Sequence, residues 1–244
     1  MSHPTETKAP DREQSPWTRP WFIASAAVVV LLIALAVVYV ALPAPGAGQS
    51  SAPSPAATTT STAQAGQESA CGLPAGDQRY PSVGLLTKWE LVGKFAVPSD
   101  PKGIGPGKVE GTVRTCYQHS PTGALYSAAN YVGTGLLPGG QTIILQSLTA
   151  QSPLRDQSLA TPPTQAPVDP SLSTQIAGFK VVTYTGQAAR IALGLKVIKD
   201  NKVGYGSMTF GLRWENGDWK SVLEEYSYSS GLTDLSDFVQ WTGA

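Results

Sequence analysis

Two cysteines, one histidine beside a serine, and a pair of tryptophans around a tight turn are the residues of this chain whose types and spacing could do chemistry. Cys71 and Cys116 are its two cysteines. A disulfide between them is the simplest expectation if they lie in an oxidising compartment, with two independent buried thiols as the alternative. Closing a loop of that length would stabilise the fold by up to ~4 kcal/mol in the chain-entropy account. A metal site is poorly supplied, because the two histidines are His3 and His119, far apart in the chain. His119-Ser120 does not read as a nucleophile pair. No G-x-S-x-G surrounds Ser120 and no second nearby histidine could act as its base, so Ser120 is expected to cap a helix and His119 to be a satisfied polar residue beside it. Trp214 and Trp219 flank Asn216-Gly217, the dipeptide of a type I′ hairpin, and are expected to form a cross-strand pair. The glycine-rich PSDPKGIGPGKVEG is no phosphate loop, since Val109 follows Gly107-Lys108 where Ser or Thr is required. Glu224 and Glu225 are expected at the end of a strand, one toward the buried face and one solvated, and define no glycosidase pair. No catalytic residue, cofactor site or metal site is assigned.

What must position these residues begins with a long apolar run. Phe22 to Leu42 is an uncharged stretch of about 20 residues, enough for one helix across a ~30 Å hydrocarbon core. Lys8, Arg12 and Arg19 precede it and no Lys or Arg follows until Arg79, which orients residues 1–21 to the cytoplasm and the rest outside. A cleaved signal peptide is the competing reading, disfavoured by the length of the apolar run and of its polar leader. No Gly-x-x-x-Gly marks a dimer seam in the span. Residues 43–70, rich in Pro, Ala, Ser and Thr, lack the apolar surface to fold and read as a disordered linker with a mean reach of roughly 30 Å. Residues 71–244 are the exported globular domain, of a size that supports one core. Formal net charge is zero and charged residues are 14%, so no direct nucleic-acid partner is expected.

Within the domain, TKWELVGKFAV reads as a strand and VRTCYQ as a second, ending at a helix start with Ser120 as N-cap and Pro121 at the first helical position. The helix carries Leu125, Ala128, Ala129, Val132 and Leu136 on one face, and Gly133 and Gly135 weaken and end it. QTIILQSLTA is ambiguous between helix and strand, and residues 151–170 read as an irregular connection. From Ile176 the period becomes two, giving hairpin-linked strands through QAARIALGLKVI, GSMTFGLRW and DWKSVLEEYSY, after which Phe238 and Trp241 return to the body. The class is α+β, a helix packed on a curved C-terminal antiparallel sheet.

These residues resemble a known architecture. A leading helix, an irregular connection and a long meander with a W-x-N-G-x-W hairpin, here WENGDW, resemble the cone-shaped fold of nuclear transport factor 2 and ketosteroid isomerase. Behind one N-terminal anchor, that fold is similar to type IV secretion assembly factors and TcpC-type conjugation proteins. HSPTGAL, His119 to Leu125, and DFVQW, Asp237 to Trp241, resemble membrane-anchored proteins of actinobacterial integrative conjugative elements; Gln240 stands where that resemblance would place proline. The resemblance implies a non-enzymatic interaction component bound to the lipid bilayer through residues 22–42 and to other envelope or secretion-channel proteins. It also admits a small-molecule-binding or isomerase-like domain, or an accessory subunit of a lipid importer. Isomerase chemistry would need an Asp base facing a Tyr such as Tyr126, Tyr131 or Tyr184, and no Asp lies on the apolar strand faces. The charge asymmetry around Phe22–Leu42 predicts that protease added to intact cells cuts the linker or the C-terminal domain and spares residues 1–21. Recovery of a soluble form starting near Ala47 would show a signal peptide instead.

Overall fold

The computed structural model describes residues 67–162, 169 and 171–241. The expected cytoplasmic tail and membrane span, and the linker up to residue 66, lie outside the described residues. Among the described residues no helix is long and apolar enough to cross a membrane.

The domain is α+β, with three helices packed against a five-stranded antiparallel sheet. Its first elements are two small hairpins. TKWELVGKFAV is not one strand: Gly93 takes φ 62° and folds it into β1 (Lys88–Val92) and β2 (Phe95–Ser99), with Val92 facing Phe95. The Pro/Gly loop is shorter than its composition suggests, because β3 (Lys108–Glu110) already pairs with β4 (Val113–Thr115). Helix α1 (Pro121–Gly135) begins where Ser120 and Pro121 place it, the Ser120 hydroxyl accepting from Gly123 N at 2.9 Å.

The expected single apolar stripe understates α1. Tyr126, Ser127, Asn130, Tyr131 and Thr134 are buried as fully as Leu125 and Ala128. The reason is enclosure: β2 covers one side of the helix and the main sheet the other. Gly133 does not break the helix but admits the strand, since a Cβ there would stand 2.5 Å from Val97 Cγ1. Among the buried polar groups of α1, Asn130 is tied down by Arg114, itself buried, whose Nε donates to Asn130 Oδ1 at 2.7 Å and whose Nη2 donates to Glu90 Oε2 at 2.6 Å. Asn130 Nδ2 in turn donates to Pro98 O and Tyr126 O. Arg114 thereby ties β4 and β1 to α1, a geometry in which the planar guanidinium serves better than a point charge.

The segment QTIILQSLTA is helical, as α2 (Gly140–Ile143) running into a π-helical turn, Ile144–Leu148. The expected irregular connection contains a helix, α3 (Pro153–Ala160), capped by the Ser152 hydroxyl in the same Ser-Pro pattern that starts α1. Four long strands follow: β5 (Ser173–Tyr184), β6 (Ala188–Lys199), β7 (Lys202–Glu215) and β8 (Asp218–Leu232). With β9 (Val239–Gln240) they make the sheet order β8-β7-β6-β5-β9. Register shifts interrupt β5 and the β7–β8 pairing, the local means by which a sheet bends. Glu224 and Glu225 do not end β8, and both are exposed.

The tail from Leu232 to β9 passes from one edge strand to the other. Leu235 and Phe238 close over Gly178 and Gly194, register partners in β5 and β6 where a Cβ would collide with them. Trp241 is buried in the core, its ring 5.0 Å from Trp89 and 5.5 Å from Phe179, with Nε1 donating to Thr87 Oγ1 at 2.8 Å.

Because Gly133 sits against Val97, Gly133→Ala is expected to destabilise the domain by about 1–3 kcal/mol through overpacking, although alanine is the better helix former by about 1 kcal/mol. Chemical denaturation of the two proteins measures the difference, and a gain in stability would contradict the close contact.

Candidate functional site

Six of the eight residues singled out in the sequence meet at one end of the domain: Cys71, Cys116, His119, Ser120, Trp214 and Trp219. Phe238 and Trp241 are not among them; they belong to the strap and core described above.

The turn that makes the place is Glu215-Asn216-Gly217-Asp218, with φ 55° at Asn216 and 75° at Gly217, as the Asn-Gly signal requires. It pairs Trp214 with Trp219, ring centroids 5.2 Å apart and 65° between planes. His119 stacks on Trp214 at 4.1 Å and 17°. Its Nδ1 accepts from Gln67 N at 2.7 Å, so Nε2 carries the proton and donates to Gly186 O. Both ring nitrogens are thus bonded to backbone. Trp219 is fully buried, with Nε1 donating to Gln118 O at 3.1 Å and its carbonyl accepting from the Tyr131 hydroxyl. Burial pushes the Tyr131 phenol far above its ordinary pKa, which keeps it a donor.

Cys71 and Cys116 form a disulfide, the mark of an extracytoplasmic domain. Cys116 holds φ 69°, the left-handed region that a side chain other than Asn, Asp or Gly seldom occupies. The residue that meets it is Asp218, the first of the strand DWKSVLEEYSY. Asp218 is buried; its Oδ2 accepts from Cys116 N at 2.9 Å, and its Oδ1 accepts from Tyr117 N at 3.0 Å and Trp219 N at 2.9 Å. Burial raises the Asp218 pKa, while the three N–H donors and Lys220, 3.7 Å away, pull it down. The position of Asp218 one residue after Asn-Gly is the signal that could have marked it, as a carboxylate held rigidly at a hairpin tip.

The segment entering the domain docks on the same tip. Ala70 N donates to Gly217 O at 2.8 Å, Leu73 N to Ser69 Oγ at 2.8 Å, and Ser69 itself is buried beside the disulfide. Contacts with the domain therefore reach back to Gln67.

Ser120 Oγ is likewise engaged, accepting from Gly123 N and donating to Gln118 Oε1. Among the described residues no group of three His, Cys, Asp or Glu could hold a metal ion. The arrangement is a covalent and hydrogen-bonded anchor for the incoming chain.

A second feature lies away from the anchor. A cavity of about 400 Å³ opens between the C-terminal half of α1, the π-helical turn and β7–β8, lined chiefly by Tyr131, Val132, Leu145, Met208, Phe210 and Leu223. None of its lining residues is charged.

Asp218→Asn keeps the shape of the side chain but turns an NH2 toward one of the three backbone donors. It is expected to cost about 1–3 kcal/mol, the penalty for leaving a buried donor without an acceptor. Denaturation at neutral pH with the disulfide intact measures it, and an unchanged midpoint would show that the carboxylate is dispensable.

In comparison with known proteins, the family described as Domain of unknown function (DUF8175) matches residues 51–243. No curated protein and no solved structure matches the chain. The family span takes in the disulfide, the His119 stack, the WENGDW hairpin and the Trp241 core, and the chain belongs to the DUF8175 family.

Proposed function

We propose that this protein is a membrane-anchored, non-enzymatic docking component of an envelope complex, of the conjugative or type IV secretion-like kind. Residues 22–42 form the anchor, and the disulfide-bonded domain stands on the outer side and binds other envelope proteins. The observation that carries the reading is how the polar residues near the anchor are used. His119 has both nitrogens bonded to backbone, Ser120 caps α1, and Asp218 accepts from three backbone amides, so each is committed to holding the chain in place. The cone-shaped fold is supported by a helix enclosed by an antiparallel sheet whose strands carry register shifts, and the resemblance to anchored assembly factors rests on that fold.

The uncharged cavity favours a second reading, a domain that binds a small apolar molecule. Isomerase chemistry finds less support there, because no Asp or Glu lines the cavity and the Tyr131 hydroxyl already donates to Trp219 O.

The test is photo-crosslinking in cells carrying the full-length protein, with the crosslinker at the exposed positions Leu91, Val109 and Tyr228 in turn. At one or more of them, envelope proteins encoded by the same genetic element are expected. His119→Ala, compared at matched protein level, is expected to leave the parent system working. If no envelope protein is captured and the purified domain turns over a small molecule in a way that His119→Ala or a substitution of the cavity's Tyr131 abolishes, the enzyme reading replaces this one.

A further inference from the structure

The two sulfurs of the anchor are not equivalent. Cys116 is 3% exposed, whereas Cys71 lies on the surface. Two groups converge on the buried sulfur: Ser69 Oγ and Cys71 N, each 3.2 Å from Cys116 Sγ. Neither sulfur of a disulfide bears a proton, so the serine hydroxyl is the donor. That hydroxyl is oriented for the task, because its lone pair accepts from Leu73 N at 2.8 Å and Ser69 is itself buried. The same oxygen is farther from Cys71 Sγ, at 3.7 Å. The nearby negative charge of Asp218 is met by three N–H donors and by Lys220.

Thiol–disulfide exchange depends on which sulfur a thiolate can reach and on how well the departing sulfur carries charge. Access selects Cys71, and the two donors stabilise charge on Cys116. We propose that Cys71 is the exchange sulfur of this domain, through which a thiol–disulfide oxidoreductase makes and breaks the bond by way of a mixed disulfide, with Cys116 as the leaving and resolving thiolate.

In the reducing direction, the partner's thiolate bonds to Cys71 Sγ, the Cys71–Cys116 bond breaks, and its electron pair leaves on Cys116. A second partner thiolate then attacks the partner's own sulfur in the mixed disulfide and releases Cys71 as a thiolate. Two electrons pass to the domain and the partner ends as a disulfide. In the oxidising direction, the Cys71 thiolate attacks the partner's disulfide and expels one partner thiolate. Cys116 then attacks Cys71 Sγ and expels the other, so the partner takes up both electrons. While the mixed disulfide stands, the entering segment keeps two backbone links to the domain, Gln67 to His119 and Ala70 to Gly217.

The test uses oxidised full-length protein with reduced glutathione as the probe at neutral pH. Acid quenching, denaturation, N-ethylmaleimide and peptide mapping then assign each sulfur. Glutathione is expected on Cys71 and maleimide on Cys116, with the Cys71 adduct at least tenfold in excess. In a matched pair challenged with oxidised glutathione, the Cys116→Ser protein should take up glutathione at least ten times faster than the Cys71→Ser protein. Ser69→Ala should slow adduct formation in the otherwise unaltered chain by about tenfold, the equivalent of one hydrogen bond to the leaving sulfur, while Ser69→Thr keeps the rate. Equal labelling of the two sulfurs, preference for Cys116, or absence of an adduct on the folded protein would each overturn the assignment.

Discussion

A single buried carboxylate holds together parts of the chain that are about a hundred residues apart. Asp218 sits at the tip of the β7–β8 hairpin, and its two oxygens take the amides of Cys116, Tyr117 and Trp219. The first two of those amides open the segment that leads directly into α1. The position of the helix relative to the sheet is therefore referred to one side chain, and the left-handed backbone at Cys116 is held by that carboxylate and by the disulfide. A carboxylate can do this where a neutral group cannot, because it offers acceptors on both oxygens and no donor to clash with the amides.

The helix so placed is covered on both sides, and this makes small and polar residues as important as the apolar ones. Gly133 lets β2 come close, and Arg114 donates to the Asn130 side-chain oxygen, which the enclosure removes from water. Gly178 and Gly194 do the same service on the sheet, leaving a shallow notch that Leu235 and Phe238 fill. The C-terminal strand pairs outside β5, so the chain's end closes one edge of the sheet.

Where local chemistry decides the structure, the residues announce it: Ser120-Pro121 starts a helix, Asn216-Gly217 turns a hairpin, and alternation from Ile176 onward lays down strands. Where the signal is one residue deep, it is easily overruled. Gly93 alone turns β1 into β2, and Ser152-Pro153 starts a helix inside a stretch whose other prolines argue for a loop. Where tertiary structure decides, local pattern misleads. The apolar stripe of α1 does not include Asn130 and Thr134, yet both are buried. Of the anchor, the disulfide, the cap on α1 and the tryptophan pair could be read from residue types and spacing. The place of Asp218 at a hairpin tip is legible too, but its partners at Cys116 and Tyr117 are not, since they reach it only after the sheet and helix have met.

The route of the chain into the domain has a mechanical consequence. A pull applied from the N-terminal side of Gln67 first meets hydrogen bonds from Gln67 to the His119 ring, between Ser69 and Leu73, and from Ala70 to Gly217, and then the covalent bond at Cys71. Beyond that point the force crosses to Cys116, at the root of α1. Residues 72–115, which contain both small hairpins, lie within the closed loop, and the covalent path bypasses them. They can be drawn out only if the S–S bond opens, so the fold meets tension with its central helix while the two small hairpins are shielded.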